Sequence, residues 1–147
     1  MARRYVAVCG ATEATESQLI AAKEVGRLLA EAGAIVINGG MGGVAAAASE
    51  GAAAAGGVVV GLLPEGHRAG ANQYLTVALP TGMGQARNVL IVTAAQSIIA
   101  IGGGWGTLSE IAIAKRLGRP VVTLDSWPIS GLESVATPAE AVRMALG

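Results

Sequence analysis

The stretch IAIGGGWGTLSE at residues 99–110 carries the strongest chemical signal in the chain. An apolar run ends in Gly102, Gly103, Gly104 and Gly106, and a helix-forming segment follows. Glycines at a strand-to-helix turn let backbone N–H groups reach a phosphate unobstructed, and the positive end of the helix adds to the attraction. Thr107 offers a hydroxyl to the same ligand. Glu110 belongs at the start of that helix, facing the pocket. The T-x-x-E spacing fits a capping box equally well, with Thr107 as the cap and Glu110 closing it. Gly103, Gly104, Gly106 and Thr107 are the first candidate phosphate contacts.

A second glycine-rich turn, NGGMGG at residues 38–43, adds Gly39, Gly40 and Gly42 as candidates, and Gly10 ends the apolar run YVAVCG. G-x-G-x-x-A from Gly40 to Ala45 superficially matches a dinucleotide fingerprint. That fingerprint expects an acidic residue about 20 positions on to hold a ribose. Here Gly61-Leu62-Leu63 ends the next strand and no carboxylate comes before Glu65, so NAD is not expected. Close helix-to-sheet packing is the alternative use of these glycines. TGMGQARN at residues 81–88 places Arg87 and Asn88 near a helix start. Arginine grips a phosphate or carboxylate through two parallel hydrogen bonds; a solvated surface position is the other reading. His67, the sole histidine, has no metal-ligating neighbours, so no metal site is expected. Trp105, inside a glycine turn, either covers a bound base or packs the loop. Cys9 is the only cysteine and sits among apolar residues, which fits a buried core thiol.

The elements that must position these residues alternate. Strands are expected at residues 5–10, 34–37, 58–63, 74–79, 97–101 and 121–124, each short, apolar and closed by a turn residue. Between them lie a helix capped by Ser17, with apolar Leu19, Ile20, Val25, Leu28 and Leu29 and a stop at Gly33, and an alanine-rich helix at residues 44–55. A third helical stretch runs to about Gln96, a fourth ends before Gly118, and a last one is capped by Thr137 with Pro138 first. This alternation implies α/β architecture: a single Rossmann-like domain with a doubly wound parallel sheet, right-handed crossovers and helices on both faces. Ligands of such sheets bind at the carboxyl ends of the strands, where the glycine clusters fall.

Composition narrows the function further. The chain has 147 residues, 52% hydrophobic and 14% charged, with ten basic and ten acidic groups. A balanced charge with no basic cluster beyond Arg3-Arg4 leaves no nucleic-acid footprint. No apolar run reaches the roughly 18 residues of a membrane span, so no membrane partner is expected. Met1-Ala2-Arg3-Arg4 leads into a strand without an apolar signal core, pointing to a cytoplasmic protein. Much of the apolar excess is alanine, in residues 45–48 and 52–55, which lets helices lie close to a sheet.

Residues 102–110, together with Arg87, resemble the G-G-x-G-T-x-x-E signature of the LONELY GUY superfamily. YVAVCG, AAKEVGRLLAEAGAIVINGG and GGVVVGLLP follow in the family's order, and TGMGQARN and IGGGWGTLSE are most similar to the short branch that includes the molybdenum cofactor carrier proteins. The resemblance implies a homodimer or homotetramer formed through helices, and a nucleotide or molybdenum cofactor held as ligand by the loop from Gly103 to Thr107. In the hydrolytic branch, an arginine and a glutamate matching Arg87 and Glu110 are catalytic and release base and ribose 5-phosphate from a nucleoside 5′-monophosphate, with no cofactor required. This chain departs from that branch: Arg87 lies in GQARN rather than a His-Glu-Arg-Lys setting, and Gly102 stands where the hydrolases have proline. The resemblance therefore implies first a carrier or sensor of a phosphorylated small molecule, and second a phosphoribohydrolase. Members have also been labelled lysine decarboxylase. That activity needs a lysine forming a Schiff base with pyridoxal phosphate, and Lys23 and Lys115 are both placed on helices away from the turns.

Overall fold

Strands and helices alternate along nearly the whole chain, and parallel strands joined by helices pack as a sheet, open or closed into a barrel, covered by those helices. The computed structural model describes residues 3–147, so the Met1-Ala2 part of the N-terminal reading lies outside the described residues. In order come β1 (Tyr5–Gly10), α1 (Glu16–Glu31), β2 (Ile35–Asn38), α2 (Val44–Ala54), β3 (Val59–Leu63) and β4 (Val77–Pro80). A 3₁₀ turn (Gly84–Arg87) leads into α3 (Asn88–Ala94), then β5 (Ser97–Ile101), α4 (Trp105–Arg116), β6 (Val121–Leu124), β7 (Glu133–Ser134) and α5 (Pro138–Leu146).

The seven strands form one sheet in the order β4-β3-β2-β1-β5-β6-β7, and every pairing is parallel. Ala7 of β1 stands beside Ile37 on one side and Ile98 on the other. The strand order reverses direction between β1 and β5, which makes their carboxyl ends the topological switch point. The Rossmann-like, doubly wound fold read from the sequence is the fold observed.

Alternation along β1 divides the core. Val6 and Val8 face the layer built by α1, α2 and α5, with Val25, Leu29, Ala48 and Ala141. Ala7 and Cys9 face the layer built by α3 and α4, with Ile91, Val92, Ile111 and Ala114. The first layer is tightened by glycine: a Cβ on Gly26 would lie 2.0 Å from the Ala48 carbonyl oxygen, and one on Gly51 1.9 Å from that of Lys23. At these two positions there is no room for a side chain between α1 and α2.

Three local expectations are corrected. Thr15, not Ser17, caps α1, because the helix starts at Glu16. Ile20, read as an inward position, is 64% exposed. The strand expected at residues 74–79 begins only at Val77, after Thr76 has used its hydroxyl and N–H on the backbone of Val59. The short edge strand β7 was not foreseen, since two polar residues carry no strand periodicity.

Candidate functional site

A cleft of about 740 Å³ opens at the switch point. It is lined by Gly10 at the end of β1, Gly39 and Gly42 after β2, Arg87 and Asn88 at the start of α3, and Gly103, Gly104, Gly106, Thr107 and Glu110 from the β5–α4 turn. The structure thus brings nearly all the residues singled out in the sequence into one place. Gly40 is the exception. A Cβ there would lie 2.6 Å from Leu63 Cδ2, its N–H donates to Asn38 Oδ1 at 2.8 Å, and its φ is +77°. Its glycine is explained by packing and turn geometry. Lys23, Lys115 and His67 do not line the cleft; Lys23 pairs with Glu50 on the helical face at 3.3 Å.

The β5–α4 turn is built so that the helix begins with nothing over its end. Gly102 (φ +60°) and Gly103 (φ +133°) take conformations that side chains disfavour, and a Cβ on Gly103 would meet Thr107 Cβ at 2.7 Å. Gly104 is the N-cap, extended, and no side chain bonds the helix end. The first helical bond is Leu108 N–H to Gly104 O at 3.1 Å. Trp105, Gly106 and Thr107 therefore present first-turn N–H groups that have no helical acceptor. No acidic residue lies in that turn to neutralise its positive end. The capping-box alternative fails: Thr107 is the third residue of α4 rather than its cap, and Glu110 lies in the second turn.

Support for this turn comes from residues that the sequence reading passed over. Ser126 donates its hydroxyl to Gly102 O, and Trp127 Nε1–H donates to Gly104 O at 3.2 Å. Gln18 Nε2 reaches Asp125 Oδ2 at 3.0 Å, across from Gly102. Asp125 is the non-glycine residue with positive φ, at 51°. That strained position just after β6 is the local feature of this brace, but positive φ at Asp is invisible in sequence. Asn38 was also missed. Fully buried at the end of β2, it accepts from Gly40 N–H and donates to Ala45 O at 3.2 Å and Ser49 Oγ at 2.9 Å, fixing the glycine turn before α2.

Arg87 is held rather than loose. Its Nη1 donates to the carbonyls of Gly39 at 3.0 Å and Leu62 at 2.6 Å, and its Nε to Asn88 Oδ1 at 2.9 Å. Gly39 leaves the room for this: a Cβ there would sit 2.9 Å from Arg87 Nη2 and displace the guanidinium. Asn88, itself buried, passes the order on to α4 through Ser109 Oγ at 3.2 Å. Burial lowers the Arg87 pKa from its ordinary value, opposed by the charge of Glu110.

Glu110 is only 7% exposed, and among the described residues its carboxyl has no hydrogen-bond partner. Burial raises its pKa to about 7, against the opposing pull of Arg87. Beside it, the buried thiol of Cys9 is pushed up by burial and by Glu110, as befits the core thiol expected there. The arrangement can accept the oxygens of an anion at the start of α4 while keeping a carboxyl that switches between donor and acceptor near neutral pH.

Fold and cleft define a Rossmann-like α/β protein with open polar groups gathered at the switch point. The comparisons with known proteins place it more closely: a model of the SLOG cluster4 family matches residues 3–144, and the chain belongs to that family. It is 42% identical over 139 residues to an uncharacterized protein of Archaeoglobus fulgidus, covering 94% of this chain and 91% of the relative. Among solved structures it is similar to the molybdenum cofactor binding protein from Rippkaea orientalis, at 30% identity and TM-score 0.93, over 98% of this chain and 96% of that one. It is also similar to the molybdenum cofactor carrier protein from Chlamydomonas reinhardtii, at 30% identity and TM-score 0.89, over 97% and 95%. The resemblance drawn from the glycine signature is borne out at this level. No helix among the described residues is long and apolar enough to cross a membrane.

Proposed function

We propose that this chain binds a phosphate-bearing small molecule in the switch-point cleft, as a carrier or sensor of a nucleotide or a phosphorylated pterin of the molybdenum cofactor type. The observation that carries this reading is the uncapped start of α4, whose first-turn donors line the cleft behind a wall of glycines. The volume falls within the roughly 300–1,000 Å³ of small-molecule sites. Arg87 is the basic residue of the lining, already committed to two carbonyls, so phosphate recognition falls mainly to backbone N–H groups. The similarity to two molybdenum cofactor proteins supports the pterin option. Among the described residues no three of His, Cys, Asp or Glu gather to hold a metal ion. A metal-bearing cargo would accordingly be gripped through its phosphate and ring. The test is native mass spectrometry of the purified chain with nucleoside 5′-monophosphates and phosphorylated pterins. An intact ligand is expected to be retained; binding of no phosphate compound under any condition overturns the reading.

One observation favours a second reading. Glu110 is unpartnered and shares the cleft with Arg87, the pair that the resemblance marks for N-glycosidic cleavage. In that reaction Glu110 stabilises an oxocarbenium-like centre or orients water, and Arg87 positions the ribose phosphate or the leaving base. Chromatography of base and ribose 5-phosphate decides it: turnover unchanged in Glu110→Gln removes the assigned mechanism.

A further inference from the structure

Aromatic side chains are scarce here, with two tryptophans, two tyrosines and no phenylalanine. The two tryptophans meet at one point. Trp127 is half-buried against the α3 and α4 layer and is fixed by its bond to Gly104 O. Trp105, the first residue of α4, lies with its ring centroid 5.4 Å from that of Trp127, at an interplanar angle of 40°. Yet Trp105 is 78% exposed while lining the cleft. Packing of the loop does not account for it, because a side chain recruited for packing is covered by what it packs. An indole that touches one aromatic neighbour and is otherwise exposed at a cleft is available to another planar ring.

We infer that Trp105 is a stacking platform for the ligand's ring, so that the cleft selects phosphate esters of planar aromatic heterocycles over phosphorylated sugars. The inference rests on the phosphate-binding reading above. The backbone N–H of Trp105 belongs to the open first turn of α4, and its indole leaves from the same Cα. Phosphate and ring subsites are therefore adjacent, and one residue sets their relative position. Stacking tolerates different rings because each presents a π-face, which explains how a site built chiefly of glycine can prefer a class of ligand without reading its edges.

Guanosine 5′-monophosphate, whose ring shares the amino-oxo-pyrimidine portion of a pterin, and ribose 5-phosphate are the probes, measured by titration calorimetry on the full chain. The wild type is expected to bind the nucleotide about tenfold or more tightly than the sugar phosphate, the range that one stacked base supports. Trp105→Ala is expected to remove most of that preference and to leave ribose 5-phosphate within about twofold, while Trp105→Phe retains most of it. Quenching of tryptophan fluorescence by the nucleotide is expected in the wild type and should be largely lost in Trp105→Phe, where Trp127 is the tryptophan that remains. Equal binding of both probes by the wild type overturns the platform and leaves phosphate binding standing; binding of neither overturns both. Wild-type nucleotide affinity in Trp105→Ala, accompanied by a smaller sedimenting species, would make Trp105 a contact between copies of the chain and overturn the inference.

Discussion

Helices α1 and α5 finish their N-termini differently from α2 and α4, although all four start beyond the carboxyl end of a strand. Thr15 and Gln18 form a full capping box on α1, with Gln18 N–H donating to Thr15 Oγ1 at 3.2 Å and Thr15 N–H to Gln18 Oε1 at 3.0 Å. Thr137 caps α5 through Glu140 N–H, and Pro138 opens the helix. By contrast α2 and α4 begin at Gly43 and Gly104 with no side chain on the helix end and no acid in the first turn. Both of these helices border the cleft, as does α3, which continues a 3₁₀ turn and has no side-chain cap either. With glycine at the cap position a missing side-chain cap costs only about a few tenths of a kcal/mol, so leaving these two ends open is a small sacrifice of stability. The chain satisfies its helix ends where nothing else reaches them and leaves donors open around the cavity. Of the two open ends, α4 is the barer, since Ala11 O already accepts from Val44 N–H in α2 at 3.0 Å.

Gly104 is the position at which this contrast can be broken. Its backbone is extended, with φ −109° and ψ −154°, and a Cβ there would meet nothing within 4 Å. Gly104→Asp would give α4 the cap that α1 and α5 possess. Nucleotide affinity is expected to fall on the order of a hundredfold, about 3 kcal/mol, because the new carboxylate occupies the donors and repels a phosphate. Folding stability is expected to rise by about 0.5 kcal/mol from the cap and the helix dipole. Calorimetric titration and urea unfolding read the two effects. A variant that is stabilised yet binds guanosine 5′-monophosphate as before would detach the ligand from the start of α4.

The second test concerns the acid behind that helix end. Glu110 has a folded pKa of about 7, above the roughly 4.3 of an unfolded glutamate. The favourable neutral form contributes its full stability below about pH 4, and the contribution is lost as pH rises through 7. Glu110→Gln is therefore expected to match the wild type near pH 4 and to exceed it by on the order of 2 kcal/mol at pH 8, in urea unfolding followed across pH. Parallel profiles for the two proteins would mean that Arg87 fully compensates the buried charge.

Sequence reading reached most of this site because its main signals are local. Four consecutive apolar or glycine-bounded features, YVAVCG, NGGMGG, TGMGQARN and IGGGWGTLSE, each mark the end of a strand or the start of a helix, and parallel topology gathers such ends on one edge. What escaped was decided by contacts distant in sequence or by where a helix happens to start. Asp125, Ser126 and Trp127 brace the glycine turn from the far side of β6, and nothing in their own neighbourhood announces it. Gly40 looked like its neighbours Gly39 and Gly42 but is committed to Leu63 and Asn38. From sequence the cap of α1 is expected at Ser17 and a capping box at Thr107 is one of two readings of that segment; both depend on where the helix begins, and only the helix start separates a cap from a residue inside the first turn.

The capped side of the contrast supplies the smallest effect and the control for the others. Thr15→Ala removes the hydroxyl that accepts from Gln18 N–H but keeps the bond from the residue 15 N–H to Gln18 Oε1, so half of the box survives. Stability is expected to fall by about 1 kcal/mol, or roughly 2–4 °C in Tm for a chain of this size. Affinity for guanosine 5′-monophosphate should stay within about twofold, because Thr15 does not line the cleft. Gln18 also holds Asp125. If Thr15→Ala weakens the nucleotide as well, that side chain is transmitting the state of α1 to the glycine turn, and the capped and open helix ends are parts of one coupled device rather than two independent solutions.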